Sequence, residues 1–552
     1  MRCCRAFCWG TYVKRTFISA AAILAFAASA HADELTDIQA QAKQLREQNA
    51  AMTKRLADLE KRQKALETQK PAAATINPVD AMAADLPYKA AVKAKPPEND
   101  DICIKGICVY GNIDMGLSYI QHGAPLNSLG NPPLNYLVSK NSNGAYFGAG
   151  PNQMSSSYIG LRGKQEIADN LYAVFNLQTI FDPSTGNTAN GIGGIVQNNG
   201  LTGNLGAQNS FQDSSKAGQL FNQSAYFGLS SPTYGTLTIG RQSTLSSDLV
   251  TNYDALGGAN AWSLLTFQGA NGGGGDTEDR VFDNSYEYRV NVGPVHLAGI
   301  AQLRSGGNSS TGNAFEGDIG FDYMGFSLDF LGGHIDDAVS ASALSQAQLA
   351  ASVNTVSNGN GIIAGTVSDN TVFQVGAKYV IGPWKFYGGY ENVRFANPDN
   401  PLNPGAFVTG GYILGNGGAI NNTNFTVNKV LQTAWIGTKY SVTPNLDIAA
   451  AYYHEWQNNF TSTATANAGC SVLGASSSQC AGSLDAVSLV VDWRFAKHMD
   501  MYAGVMWSQV QGGLANGFLL ANGSNSGVNN NTASGGNKAS SYDPGIGIRY
   551  QF

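Results

Sequence analysis

The stretch "VYGNIDMGLSYIQ", residues 109–121, alternates without a break. Its odd positions are Val109, Gly111, Ile113, Met115, Leu117 and Tyr119; its even positions are Tyr110, Asn112, Asp114, Gly116 and Ser118. One face is apolar and the other polar, the period-two pattern of a strand between two different solvents. One such strand also suits a soluble sandwich, so the decision rests on repetition.

Similar stretches recur near 157–167, 171–180, 222–230, 236–241, 284–290, 295–303, 314–323 and 325–334. They continue near 371–381, 384–395, 430–440, 446–456, 484–495, 499–509 and 543–552, about sixteen with the first. That even count falls within the range of transmembrane β-barrels. Connections alternate in length: "ADN", "SPTYG", "NVGP", "MG", "GP", "SVTPN" and "AKHM" are short. Between them run long Gly/Asn/Ser-rich loops near 121–156, 181–221, 242–283, 304–313, 335–370, 396–429, 457–483 and 510–542. Short periplasmic turns and long external loops produce this asymmetry, which a propeller or sandwich has no reason to keep. The expected fold is all-β: a transmembrane antiparallel β-barrel over 109–552, preceded by a short α-helical coiled coil.

Composition agrees. The chain of 552 residues is only 13% charged and holds 66 glycines. Outside the N-terminus no run of about 18 apolar residues exists, so no transmembrane helix is expected. A formal net charge of -6 argues against nucleic acid as a partner. Residues 1–32 read as a signal peptide: Lys14 and Arg15, then "TFISAAAILAFAASA", then Ala30-His31-Ala32. The four cysteines beyond it form two local pairs, Cys103 with Cys108 and Cys470 with Cys480, expected as disulfides in an exported chain. Metal binding is the lesser alternative, since no histidine lies close in sequence to either pair.

Residues 33–69 carry a heptad. Leu35, Ala42, Asn49, Leu56 and Gln63 fall at one core position; Ile38, Leu45, Met52, Leu59 and Leu66 fall at the other. A coiled coil in the periplasm is expected, with a proline-containing linker over 70–108. Cell wall (peptidoglycan) is a candidate partner for 33–69.

Four stretches resemble the trimeric, sixteen-stranded Gram-negative general porins: "VYGNIDMGLSY", "SSYIGLRGKQEIADNLYAVFNLQT", "FNQSAYFGLSSPTYGTLTIGRQ" and "DNSYEYRVNVGPVHLAGIAQL". "IGTKYSVTPNLDIAAAYYH" also resembles a family hairpin. The coiled coil departs from the ordinary member. The ending "GIGIRYQF", with Tyr550 and Phe552 outward, resembles the signal read by the barrel-assembly machinery. The resemblance implies a homotrimer in outer-membrane lipid, with no cofactor, no metal and no enzymatic role.

A barrel this wide leaves an aqueous lumen, so inward residues are expected to be polar. Those assigned inward are Asp114, Arg162, Lys164, Glu166, Gln178, Glu287, Arg289, Asp318, Lys439 and Arg549. Tyr286, Tyr288, Trp384, Trp435, Tyr440, Trp493 and Tyr550 read as interfacial girdles. By family analogy the third long loop folds into the lumen and brings Asp248, Asp254, Asp276, Glu278, Asp279 and Arg280 to a constriction. Arg162, Lys164, Arg241 and Arg289 would face them. Because Leu237, Ile239 and Arg241 share parity, Arg241 must lie past the strand end or after a bulge.

No catalytic constellation emerges. The histidines are scattered, and "GGGG" at 272–275 lacks the lysine of a phosphate loop. The expected function is an outer-membrane porin passing small hydrophilic solutes and ions. The alternatives are a solute-specific channel for a sugar, carboxylate or phosphate, and a tether to the cell wall through the coiled coil.

Overall fold

The computed structural model describes Lys43, Lys54, Tyr136 and residues 102–104, 106–121, 145–188, 220–266, 281–303, 312–343, 363–400, 418–423, 425–462, 481–512 and 538–552. The chain divides into two compact units, Met1–Asp80 and Ala81–Phe552. In the first, Lys43 and Lys54 are helical and exposed. The signal peptide, the rest of the predicted coiled coil 33–69 and residues 70–101 of the linker lie outside the described residues.

In the second unit, sixteen strands form one closed antiparallel barrel. They are β1 Ile107–Ile120, β2 Ser157–Ala168, β3 Leu171–Phe181 and β4 Ser224–Ser231. Next come β5 Gly235–Ser243, β6 Val281–Val292, β7 Val295–Gln302 and β8 Ala314–Tyr323. Then follow β9 Phe326–Ala343, β10 Ile363–Ile381, β11 Trp384–Ala396 and β12 Lys429–Thr443. The last are β13 Leu446–Gln457, β14 Gly482–Ala496, β15 Met499–Gly512 and β16 Lys538–Gln551. Each pairs with the next, and β16 returns to β1 with Ile113 opposite Tyr550 and Asp114 opposite Arg549. Closure leaves no unpaired edge, the condition for β-structure in lipid.

The short connections are the tight turns the sequence suggests. Met324 and Gly325, between β8 and β9, both have positive φ (50° and 82°), the type I′ geometry that matches strand twist.

Polarity is inverted relative to a soluble protein. Ile113 and Leu117 are exposed at 39% and 51%, whereas Asn112 and Asp114 between and beside them are at 1% and 0%. Phe227, Leu237, Ile319, Phe330 and Trp493 repeat the exposed apolar pattern around the barrel. No helix among the described residues is long and apolar enough to cross a membrane.

Two expectations need correction. Inward positions are not uniformly polar: Leu331, Val372, Leu431, Ala451, Leu484 and Met506 face inward and are buried. They are apolar because residues 245–265 pack over them inside the barrel. Trp435 is not a girdle residue either. It is 5% exposed and donates its indole N–H to the Tyr253 carbonyl oxygen at 2.9 Å. Tyr286, Tyr288, Trp384, Trp493 and Tyr550 do face outward.

Smaller pieces decorate the wall. Ile102–Ile104 folds back on β1 in a hairpin in which Cys103 lies opposite Cys108 and is joined to it by a disulfide. Tyr146–Pro151 pairs with the upper half of β1, and Gly418–Asn422 runs parallel to β10.

Candidate pore constriction

The third long loop starts from a break in the ladder. Between Gly240 and Gln242 the register of β5 with β6 shifts, and Gly240 has a φ of 136° that a side chain would not tolerate. This is the bulge the parity of Arg241 required. It turns Arg241 inward, where the guanidinium donates to the Asn222 carbonyl oxygen (Nε 2.9 Å, Nη2 2.6 Å) and to Asp283 (2.5 Å). Arg241 is 8% exposed, so it braces the loop's base.

A helix follows, α1 Leu245–Tyr253. Thr244 caps it, its side chain accepting from the Ser247 N–H at 3.3 Å. Leu245, Leu249, Val250 and Tyr253 make a buried stripe, while Ser247, Asp248, Thr251 and Asn252 stay partly exposed. The stripe lies against the inner faces of β7–β11. Burying four such side chains contributes roughly 1.5–3 kcal/mol each, enough to hold a short helix that would melt alone.

Hydrogen bonds then pin the loop around the interior. Ser246 N–H donates to Glu316 Oε2 on β8 (3.1 Å), and Tyr453 of β13 donates its hydroxyl to Asp254 (2.7 Å). Ser488 of β14 donates to the Trp262 carbonyl oxygen (2.6 Å), and the Trp262 indole N–H donates to the Asp543 carbonyl oxygen on β16 (3.1 Å). Gly504 on β15 makes room: a Cβ there would stand 2.7 Å from the Trp262 ring. Asn260 and Ala261 bond to the backbone oxygens of Asn152 and Gln153 in the inturned segment after Pro151. Among the described residues these tethers run to β8, β12, β13, β14 and β16. They leave out β2–β5.

Asp248 is the loop acid that meets the wall. Its Oδ2 accepts from Arg289 Nη2 at 2.5 Å, and the Arg289 Nε also contacts Glu287. Burial pushes Asp248 up to about 6 against the opposing pull of Arg289. Asp254 is different: 2% exposed and bound by Tyr453 and the Gly258 N–H, it is a structural pin.

The other sequence-predicted residues separate into groups. Arg162 lies over the Tyr110 ring (4.9 Å) and Lys164 over Tyr172 (4.1 Å), on the inner wall toward the short turns. Arg549 is inward but covered; its Nε reaches both Asp500 oxygens (3.1 and 3.0 Å), in a network that also holds Asp114 and Tyr502. Asp114 itself is capped by the Met154 and Ser155 N–H groups, so it supports the inturned segment instead of facing open lumen. Asp276, Glu278, Asp279, Arg280, Cys470 and Cys480 lie outside the described residues. Glu316, Tyr453 and Trp262 were not singled out from sequence; inward parity marks the first two, and nothing local marks Trp262.

A family model of Gram-negative porins matches residues 72–406, more than half of the chain. The chain belongs to the Gram-negative porin family. This porin is 27% identical over 151 residues to an outer membrane porin protein of Bordetella pertussis, a match covering 27% of this chain and 31% of that one. The match thus spans about a third of the curated relative. Among solved structures it is similar to OmpT of Vibrio cholerae (14% identity, TM-score 0.46, 82% of this chain and 100% of that chain). It is also similar to the channel DcaP of Acinetobacter baumannii (13% identity, TM-score 0.42, 81% and 98%).

Proposed function

We propose that this porin is a passive diffusion channel of the cell outer membrane for small hydrophilic solutes and ions. The observation that carries the reading is a closed sixteen-stranded barrel, apolar outside, with a loop fastened across its interior. Solutes pass between the polar face of α1, carrying Ser247, Asp248 and Thr251, and the wall of β2–β5, carrying Arg162 and Lys164. Glu287 and Arg289 form the flank of that passage. Sixteen strands and the family resemblance support a homotrimer embedded in lipid and inserted by the barrel-assembly machinery through Tyr550 and Phe552. A periplasmic coiled coil over 33–69, reaching peptidoglycan, and a Cys470–Cys480 bridge complete the proposal.

The apolar packing of the loop over β7–β15 favours one second reading, a channel selective for a sugar, carboxylate or phosphate. A passage narrowed on one side has room for a solute-specific contact. Planar-bilayer recording separates the readings. Ohmic steps insensitive to added solute support free diffusion, solute-blocked current supports selectivity, and absent conductance leaves only a tether.

A further inference from the structure

Below α1, on the inner face of β7–β9, four side chains converge on one glycine. Gly320 of β8 lies opposite His296 of β7 and opposite Asp329 of β9. Asp318 and Asp322 flank it two residues away on the same face of β8. His296 Nε2 is 2.7 Å from Asp329 Oδ1 and 4.0 Å from Asp318 Oδ2, while its Nδ1 is 3.3 Å from Asp322 Oδ2. One imidazole and three carboxylates thus meet on the inner wall, with Asp322 about half exposed.

The geometry points to a binding site for a first-row divalent transition cation, held by His296 Nε2, Asp318 and Asp329. Five observations carry it. The three ligand atoms all lie within 4.8 Å of one another. Two ligands about 2.1 Å from a tetrahedral zinc stand about 3.4 Å apart, between the 2.7 and 4.0 Å seen here. Asp322 on Nδ1 fixes the ring so that Nε2 faces the two carboxylates, the arrangement that orients metal-bound histidines. Asp318 Oδ1 is buried with no hydrogen-bond partner, an acceptor that a bound cation would satisfy. Finally, a Cβ on Gly320 would run into both His296 Nε2 and Asp329 Oδ1, so the glycine holds open the space in which these ligands meet.

An imidazole with two carboxylates suits zinc, iron or manganese better than magnesium or calcium, which take oxygen alone. The ion would sit between His296 Nε2 and the two carboxylates, where the imidazole now contacts Asp329 directly. The surrounding groups are Arg289 and Asp248 near Asp318, Lys378 near Asp322, and the Tyr253 hydroxyl facing Asp329. Through Tyr253 the site touches the C-terminal end of α1.

The test is calorimetric titration of the full-length porin, purified in detergent and stripped with chelator, using zinc chloride and then magnesium chloride. One zinc per chain, with magnesium at least tenfold weaker, is the expected result. His296→Ala and Asp318→Asn should each weaken zinc at least tenfold, with both variants still recovered in chelator as folded, conducting barrels. Absence of zinc binding by the unmodified porin, or equal affinity in either variant that still conducts, overturns the site. Conductance in chelator checks the channel reading separately, so the two can fail independently.

Discussion

Arg289 of β6 and Asp248 of α1 are in contact, Nη2 to Oδ2 at 2.5 Å, with Glu287 on the other side of the same guanidinium. Loop acid and wall cation therefore do not face each other across open water at this point; they are joined. Removing either partner leaves an uncompensated charge beside the proposed passage. A unit charge about 4 Å from an ion in water is worth about 1 kcal/mol, or about fivefold in a permeability ratio at low salt. Arg289→Gln should move the zero-current potential toward cations by up to that amount, and Asp248→Asn toward anions. Bi-ionic reversal potentials measure both. Unchanged potentials in both variants would remove this triad from the pore.

Acidity should imitate the second substitution. Burial pushes Asp248 up to about 6, with Arg289 opposing and Glu287 and Asp329 adding to the rise. The carboxyl is charged above that pH and neutral below it. Selectivity should therefore drift toward anions as pH falls through about 6, with the drift reduced in Asp248→Asn. The same drift in the variant would assign the titration to another group.

Salt separates near charge from far. Residues 101–552 hold 28 acidic and 18 basic side chains, so the distant field attracts cations. Charges beyond a Debye length of about 8–10 Å are screened at physiological salt, which leaves wall residues in control. The channel should lean to cations in dilute salt and less so, or toward anions, when concentrated. Arg162→Gln with Arg289→Gln should restore cation preference at high salt. An unchanged reversal potential would show that these arginines do not line the narrowest section.

The barrel could be read in the sequence because its rule is local. Alternation in each strand and the long-short rhythm of connections need no knowledge of distant residues, and the sixteen stretches correspond to β1–β16. What the wall holds inside could not be read this way. Leu431, Ala451 and Leu484 are inward and apolar only because a loop from far away in sequence lies over them. Trp435 is a case where the rule was available: it shares parity with Lys439, already assigned inward, and its exposed neighbour Ile436 takes the lipid side. Composition made it a girdle residue, and register made it an anchor. Of the constriction residues, Arg241 owes its inward placement to the family resemblance, parity adding only that a strand end or a bulge must precede it, whereas the pinning role of Asp254 depends on Tyr453, 199 residues away.

Among the described residues Trp262 is the largest fully buried side chain, with its ring edge-on to Tyr502 at 5.7 Å. Trp262→Ala should cost the docked loop roughly 3–5 kcal/mol while leaving the strand ladder intact. Larger and noisier single-channel currents are expected, with unchanged heat resistance of the barrel on gels. Quiet currents of the original size would mean that the remaining tethers suffice.

The Cys103–Cys108 bridge closes a hairpin whose ends are only five residues apart. So short a loop restricts the unfolded chain little, by about 2 kcal/mol at most. Cys103→Ala with Cys108→Ala should leave conductance unchanged and lower unfolding resistance slightly. Mapping of non-reduced peptides should recover the pair linked to each other, and free thiols would contradict the bridge.

The barrel is closed at its seam by the last residue. Gly111 N–H donates to the Phe552 carbonyl oxygen at 2.8 Å, and Phe552 N–H returns a bond to the Gly111 carbonyl oxygen at 3.1 Å. The Phe552 ring covers Gly111, where a Cβ would strike it, and stacks at 5.7 Å on Tyr550. Deleting Phe552 removes both bonds and the outward aromatic while leaving the lumen untouched. The amount of inserted barrel should fall severalfold, and each channel that does insert should conduct as before. Gly111→Ala tests the same contact from the other strand: the ring must move, so insertion should fall without any change at the terminus itself. Normal insertion in both variants would separate the seam from assembly. Reduced insertion in the deletion alone would mean that the terminal aromatic is read by the machinery as a signal, independently of the seal it makes against Gly111.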